Sequence, residues 1–343
     1  MNNLQDKAST AVVILNWNGS ALLRRFLPSV VANTPRSVAR VIMADNGSTD
    51  GSLALLASGF PGVEVMKLDR NYGFAEGYNR AIAAIEAKYI VLLNSDVSTP
   101  AGWLQPLVEF MESHPDAGAC QPKILSADDP AKFEYAGAAG GFLDRNGYPY
   151  CRGRIFSTIE SDNGQYDDTA PVMWASGAAL MVRREVYLST GGLDPAFFAH
   201  MEEIDLCWRM RRAGWKVYAV GSTAVYHLGG GSLPASDPRK TYLNFRNNLL
   251  MLHRNLPDRV RGRRLFVRRI LDTAAWMKSI ATMHWGDACA ILRAHRDYRK
   301  MRGNLTMINT DGPDLLRTVP EGRKNVLVAY YLRGKHTFRS IQY

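Results

Sequence analysis

Between residues 11 and 93 the chain repeats one pattern: a short uninterrupted apolar run, a polar or Gly-rich loop, then a segment with apolar residues at helical spacing. The apolar runs fall at residues 11–15 (AVVIL), 41–44, 63–68 and 89–93 (YIVLL). A run with no polar interruption suits a strand buried on both faces, and strands separated by helices pair in parallel. The alternation therefore predicts an α/β fold, a doubly wound, Rossmann-like, mostly parallel sheet flanked by helices. At 343 residues the chain can build one such domain with appendages.

The fourth run stops on Asn94, Ser95 and Asp96, and Pro100 prevents the ladder from continuing. That is a strand's carboxyl end, where sheets of this kind bind ligands. An aspartate there can offer oxygen to a hard divalent cation, or can serve as a turn former or helix cap. The segment alone leaves both readings open. Asp45 stands on the same edge after the second strand, whereas Asp50, in a Ser-Thr-Asp cluster, reads as a helix cap.

Beyond Trp103 the regular alternation ends. A helix is expected around residues 104–113, then a mixed Gly-rich region over 117–169, then an apolar segment at 172–183 interrupted by Gly177. Glu202, Glu203 and Asp205 open an amphipathic segment, where carboxylates favour a helix start. A strand over 217–225 leads to His227 and to Gly229, Gly230, Gly231 and Ser232. From residue 241 the chain reads as helical and basic, so residues 1–240 form the main domain and 241–343 an extension. The apolar block at 325–332 is expected to pack back on the domain.

Charge is concentrated in that extension. From Arg259 to Arg302 twelve Lys or Arg face three Asp, which is +9 of the net +10. Such a segment binds nucleic acid or an anionic membrane, forms a dimer contact, or is a solvated helical face. Four scattered cysteines without a CxxC pair argue against zinc and fit a reducing compartment. The N-terminus lacks the layout of a secretion signal, and no apolar run approaches a membrane span, so a cytoplasmic protein is expected.

Taken in order, VVILNWNG, VIMADNGSTDGS, NYGFAEGYN, VLLNSD, WASGAALMVRR, FFAHMEEIDLCWR and VYHLGGGS resemble the blocks of the family 2 nucleotide-sugar glycosyltransferases, particularly rhamnosyltransferase-like members. The resemblance implies an inverting enzyme with the GT-A fold, with a nucleotide-sugar half over about residues 1–100 and an acceptor half over about 101–240. It implies that Asp45 accepts a hydrogen bond from a pyrimidine imide, and that Asn16, Trp17, Asn18, Asn71, Gly73, Phe74 and Asn79 wall the nucleotide pocket. Asp96 matches the last acid of the family's DxD sequence, with Asn94 in place of the first and Ser95 between, both of which the resemblance places among the nucleotide-sugar-binding residues. His227 matches a histidine that some members use as a second ligand to Mg or Mn. The catalytic base belongs to an acidic pair at a helix start, here Glu202 and Glu203, with Glu203 favoured and standing where an Asp is usual. Trp174 and Gly177 line the acceptor side.

The implied donor is a dTDP- or UDP-sugar, with rhamnose as the sugar, and the implied acceptor a glycan or polyprenyl-linked glycan at the inner face of the plasma membrane. Peripheral attachment through Leu265, Phe266, Val267, Ile270 and Trp276 among the arginines follows from that acceptor. Two other readings compete. A sugar-nucleotide-forming nucleotidyltransferase would carry a Gly-rich, Arg/Lys-bearing phosphate loop after the first strand, which is missing. A nucleic-acid-binding protein would explain the basic extension, yet no nucleic-acid motif is present. The absence of GxGxxG before the first helix argues against a dinucleotide enzyme.

Overall fold

The computed structural model describes residues 9–229, 237–307, 312–319 and 321–342, so Gly230, Gly231 and Ser232 lie outside the described residues. The alternating half folds as β1 (Thr10–Asn16), α1 (Ser20–Asn33), β2 (Ala39–Asp45), α2 (Ser52–Gly59), β3 (Glu64–Lys67), α3 (Gly73–Ala84) and β4 (Tyr89–Leu93). Every pairing among these strands is parallel, with β1 between β2 and β4 and with β3 at the edge. Successive β4 residues enter opposite cores: Ile90 and Leu92 join one apolar cluster, Tyr89, Val91 and Leu93 the other. This is the two-period alternation of a strand covered on both faces.

The second half is mixed. It runs β5 (Val97–Ser98), α4 (Gln105–Ser113), β6 (Ala117–Ser126), β7 (Gly141–Leu143), β8 (Pro149–Cys151), β9 (Arg154–Ile155), β10 (Thr158–Ile159), β11 (Thr169–Val172), β12 (Ala179–Arg183), α5 (Arg184–Ser189), α6 (Glu202–Arg212) and β13 (Lys216–His227). Among the described residues the main sheet orders β11-β13-β6-β12-β4-β1-β2-β3, with β5 paired to β13, and β7 to β10 form a small second sheet. The region read as mixed and Gly-rich thus opens with β6, ten residues long and a full member of the main sheet.

β12 lies antiparallel between β4 and β6, with Ala179 opposite Leu93. In an antiparallel neighbour it is the start of the strand, not its end, that reaches the carboxyl edge of β4. Gly177 and Ala178 precede β12 and so arrive at the same edge as Asn94–Asp96, joined by the bond from Asn94 N to Ala178 O at 3.0 Å.

The chain continues as α7 (Pro238–Asn255), α8 (Asp258–Ala281), α9 (Trp285–Met301), α10 (Leu315–Thr318) and α11 (Phe338–Gln342). A buried polar chain ties the first three of these together. Arg268 bonds Asp272 at 2.7 Å, His295 stands 3.1 Å from the other Asp272 oxygen, and Asn248 on α7 accepts from Arg268. Arg268 is therefore not part of a solvated face. Val326 and Ala329 are buried and Val326 N donates to Asp144, so the 325–332 block packs back as expected.

Candidate active site

β1 and β2 end in register, Asn16 opposite Asp45. Asn16 Nδ2 donates to Asp45 Oδ1 at 3.3 Å and to Ser48 Oγ at 3.1 Å, while Ser48 N donates to Asp45 Oδ2 at 3.1 Å. Asn18 adopts φ 50° and accepts from Thr49 N at 2.8 Å, which leaves Trp17 exposed at the rim. Behind them Asn46 donates to Asn71 Oδ1 and Gly73 O, both at 3.0 Å, and Tyr72 N donates back to Asn46 at 2.9 Å. Asp50 accepts from the backbone of Ser20 and Ser52 at 3.0 Å each, anchoring the first turns of α1 and α2 as a cap should. The result is a hydrogen-bonded polar cluster whose carboxylate, Asp45, is 2% exposed.

At the next strand end, pairing of β13 with β5 sets His227 opposite Val97 and therefore beside Asp96. His227 Nε2 stands 3.2 Å from Asp96 Oδ1 and 3.4 Å from Asn94 Nδ2. On the ring's other side Nδ1 lies 3.3 Å from Glu134 Oε2, the placement from which carboxylates orient metal-bound histidines. Burial alone would lower the His227 pKa, but Asp96 and Glu134 more than offset it and raise it to about 9. One carboxylate oxygen and one imidazole nitrogen facing each other suit a divalent ion of the Mg or Mn type. Among the described residues no third His, Cys, Asp or Glu completes such a group.

The acidic pair begins α6, and the backbone before it is unusual. Phe198, His200 and Met201 all take positive φ, at 64°, 67° and 74°. Phe198 has ψ −61° and heads a tight turn closed by Ala199 N to Phe197 O at 2.8 Å. Positive φ at non-glycine residues costs on the order of 1–3 kcal/mol each, so the surroundings must enforce it. The turn delivers Glu202 and Glu203 inward: each keeps its Oε2 buried and without a hydrogen-bond partner among the described residues. Burial pushes the Glu203 carboxyl up to about 7, and burial together with the neighbouring Glu203 raises Glu202 well above the ordinary carboxylate range.

Glu203 packs on Gly177. A Cβ there would sit 3.7 Å from Glu203 Cβ and 4.0 Å from Phe74 Cζ. The backbone bond from Asn94 to Ala178 places this spot beside the Asp96 loop, so Phe74, Gly177, Glu203 and the Asp96–His227 pair share one edge.

Some residues implied by the resemblance lie elsewhere. Trp174 does not line a cleft: it is 3% exposed, covers Gly141, and donates from Nε1 to Phe142 O at 3.0 Å. Asn79 uses its amide structurally, donating to Leu193 O at 2.7 Å and accepting from Tyr187 at 2.6 Å and from Leu193 N at 3.0 Å. Asp205, which the sequence gives as a helix-start acid and not as a site residue, accepts from Arg209 at 2.8 Å, Arg254 at 3.2 Å and Asn255 at 2.7 Å, binding α6 to α7. Two residues were missed. Glu134 is an isolated acid in a Gly-rich stretch and carries no sequence signal. Asn247 sits in the polar triplet Arg246, Asn247, Asn248 ahead of Leu249, Leu250, Met251 and Leu252, and a polar cluster abutting an apolar helical run is a readable sign of a buried clamp.

A sheet that gathers the Asp45 cluster, a carboxylate–histidine pair and the Glu202–Glu203 pair along one edge has the GT-A layout. The mannosyltransferase PcManGT of Pyrobaculum calidifontis, solved with GDP-Man and Mn2+, shares this fold with a TM-score of 0.52 at 14% identity, over 87% of this chain and 84% of that one. The chain belongs to Glycosyl transferase family 2, which its residues 11–187 match. It is similar to the N-acetylglucosaminyl-diphospho-decaprenol L-rhamnosyltransferase of Mycobacterium tuberculosis, at 30% identity over 230 residues, which is 63% of this chain and 75% of that protein. It also resembles the rhamnosyltransferase WbbL of Escherichia coli K12, at 27% identity over 46% of this chain and 61% of that protein. It is thus an enzyme, a glycosyltransferase of the hexosyltransferase type.

Proposed function

We propose that this enzyme transfers rhamnose, with inversion, from a dTDP- or UDP-sugar to a lipid-linked glycan in cell-surface polysaccharide synthesis. The observation that carries the reading is Glu203, a buried carboxylate with an unpaired oxygen beside Gly177 and the Asp96 loop. The names of the mycobacterial and Escherichia coli relatives support the sugar, and that of the former supports the lipid-linked acceptor.

In this reading Asp45 accepts from the imide N–H of a pyrimidine, Phe74 belongs to the wall of the nucleotide pocket, and Gly177 lines the acceptor side. Glu203 takes the proton of the acceptor hydroxyl as that oxygen bonds to the anomeric carbon. The bond from that carbon to the diphosphate oxygen breaks on the opposite face, and the nucleoside diphosphate departs with the bonding pair. A carboxylate whose pKa lies near 7 is well matched to this proton at neutral pH. Asp96 Oδ1 and His227 Nε2 would hold Mg or Mn, which as a Lewis acid stabilises charge growing on the leaving diphosphate. Burial, and then the neighbouring Glu203, push the Glu202 carboxyl well above the ordinary carboxylate range, which disfavours a second negative charge beside Glu203.

The anionic membrane surface belongs to the same reading. On α8 Arg259, Arg263, Phe266, Ile270 and Met277 recur at helical spacing and are exposed, and Met283 and Trp285 are exposed at the following turn. This corrects the expected face: Leu265 is buried in the core, and Met277, Met283 and Trp285 take its place. Basic residues with large apolar ones on one helix face suit an interface with acidic lipid. No helix among the described residues is long and apolar enough to cross a membrane. Phe266→Ser with Ile270→Ser should abolish flotation with vesicles containing acidic lipid; unchanged flotation removes α8 from the interface.

The donor is tested by thermal denaturation with UDP-, dTDP- and GDP-sugars, with and without Mn. Ligands that bind only the folded state raise the midpoint. A pyrimidine-sugar shift that grows with Mn is expected, and no shift with any nucleotide sinks the proposal.

A further inference from the structure

We infer that Asn247 and Arg246 of α7 are positioning residues for the catalytic base, clamping the left-handed turn that aims Glu202 and Glu203 into the cleft. The inference rests on Glu203 being that base. Asn247 is fully buried. Its Nδ2 lies 2.9 Å from Phe197 O, 2.8 Å from Ala199 O and 2.7 Å from His200 O. Arg246 adds Nη2 bonds to Ala196 O at 3.2 Å and Phe197 O at 2.9 Å. Arg246 Nε also donates to Asn247 Oδ1 at 2.9 Å, which fixes the amide with its NH2 toward the turn.

The chemistry explains the residue types. The positive φ of Phe198, His200 and Met201 breaks the chain out of any helix or sheet ladder here, so the carbonyls of this turn need donors from elsewhere. The four carbonyls from Ala196 to His200, apart from Phe198, converge on one side, and a donor-only guanidinium beside an oriented amide satisfies all of them. Aspartate at 247 would present oxygen to oxygen. Lysine at 246 would keep the charge and lose the Nε bond that orients the amide. α7 thus reaches across from the C-terminal extension and sets the direction in which α6 begins. A second attachment one turn further along, Asp205 to Arg254 and Asn255, fixes the helix body but not the turn.

The test compares Asn247→Asp, Arg246→Lys and Glu203→Gln with the unaltered full-length enzyme, measuring kcat, donor KM, nucleotide affinity and thermal midpoint. A displaced base slows chemistry and leaves donor binding intact. Asn247→Asp should lower kcat by roughly tenfold to a hundredfold with donor KM and nucleotide affinity within about twofold. Arg246→Lys should give a smaller fall of the same kind. Unaltered kcat in folded Asn247→Asp overturns the inference, as does a loss shared equally by kcat and nucleotide affinity. If Asn247→Asp does not fold, Arg246→Lys decides by the same split. An active Glu203→Gln would instead overturn the base assignment, whereas inactive Glu203→Gln beside fully active clamp variants overturns the clamp alone.

Discussion

Two acidic sites on α6, within one turn of each other, are treated in opposite ways. Asp205 has both oxygens paired, to two arginines and an asparagine, and no exposed surface. Glu202 and Glu203 each keep an oxygen buried without a partner. A buried charge is tolerated when compensated and otherwise retreats to its neutral form, which is why burial pushes the Glu203 carboxyl up to about 7. The comparison separates structural from chemical carboxylates on a single helix. With two guanidinium groups and an amide donating to it, Asp205 is held as a charged link between α6 and α7.

The largest expected effect comes from Glu203→Gln. Loss of the proposed base should slow transfer by roughly 10²–10⁴-fold while nucleotide-sugar binding persists. The same change should stabilise the protein in alkali. With a folded pKa of about 7 against an ordinary 4.5, native protein binds more protons than unfolded protein between those values. Stability then falls as pH rises through that window, by up to about 3 kcal/mol for a shift of this size. Urea midpoints at pH 5 and pH 8 should converge in the variant, and kcat of the unaltered enzyme should rise to a plateau above pH 7. An equal pH dependence of stability in both proteins breaks the comparison on the chemical side.

Asp205→Ala tests the structural side. Removing Asp205 leaves the buried Arg209 without a carboxylate partner and Arg254 with Asp194 alone, and should cost about 3–5 kcal/mol. The urea midpoint should drop accordingly, and donor KM of the remaining folded enzyme should change little. If Asp205→Ala keeps its stability and loses kcat instead, Asp205 belongs with the catalytic acids.

Legibility from sequence follows the same division. The parallel half was readable because burial on both faces forces uninterrupted apolar runs, and Tyr89–Leu93 shows the consequence in both cores. β6 was less readable: ACQPKIL mixes polar residues into a strand whose Gln121 and Lys123 are buried in hydrogen bonds and ion pairs, so periodicity fails. Asp96 and His227 were legible only through order along a family pattern, because what joins them is the short β5–β13 pairing. Trp174 and Asn79 show the reverse limit. Their chemistry suits a ligand pocket, and only the packing of Gly141 and the Leu193 loop reveals that those side chains are occupied. Glu134 and Asn247 act through contacts with residues many tens of positions away, which no local pattern records.

The smallest expected effect lies between the two kinds of site, at Gly177. Its backbone is not in the left-handed region, and an added Cβ meets Glu203 Cβ and Cγ at 3.7 and 3.8 Å, ordinary contact distances. Gly177→Ala should therefore fold normally and, by restricting the unfolded chain, gain about 0.4–1 kcal/mol. The new methyl would occupy the surface over the base, where an acceptor hydroxyl has to approach. One methyl group in a snug site is worth about 1–3 kcal/mol, so acceptor KM should rise roughly tenfold or more. Donor KM should stay constant, since the pocket of Asn16 and Asp45 is untouched. A rise in donor KM with acceptor KM unchanged would place Gly177 on the donor side with Phe74, and the cleft would have to be divided differently.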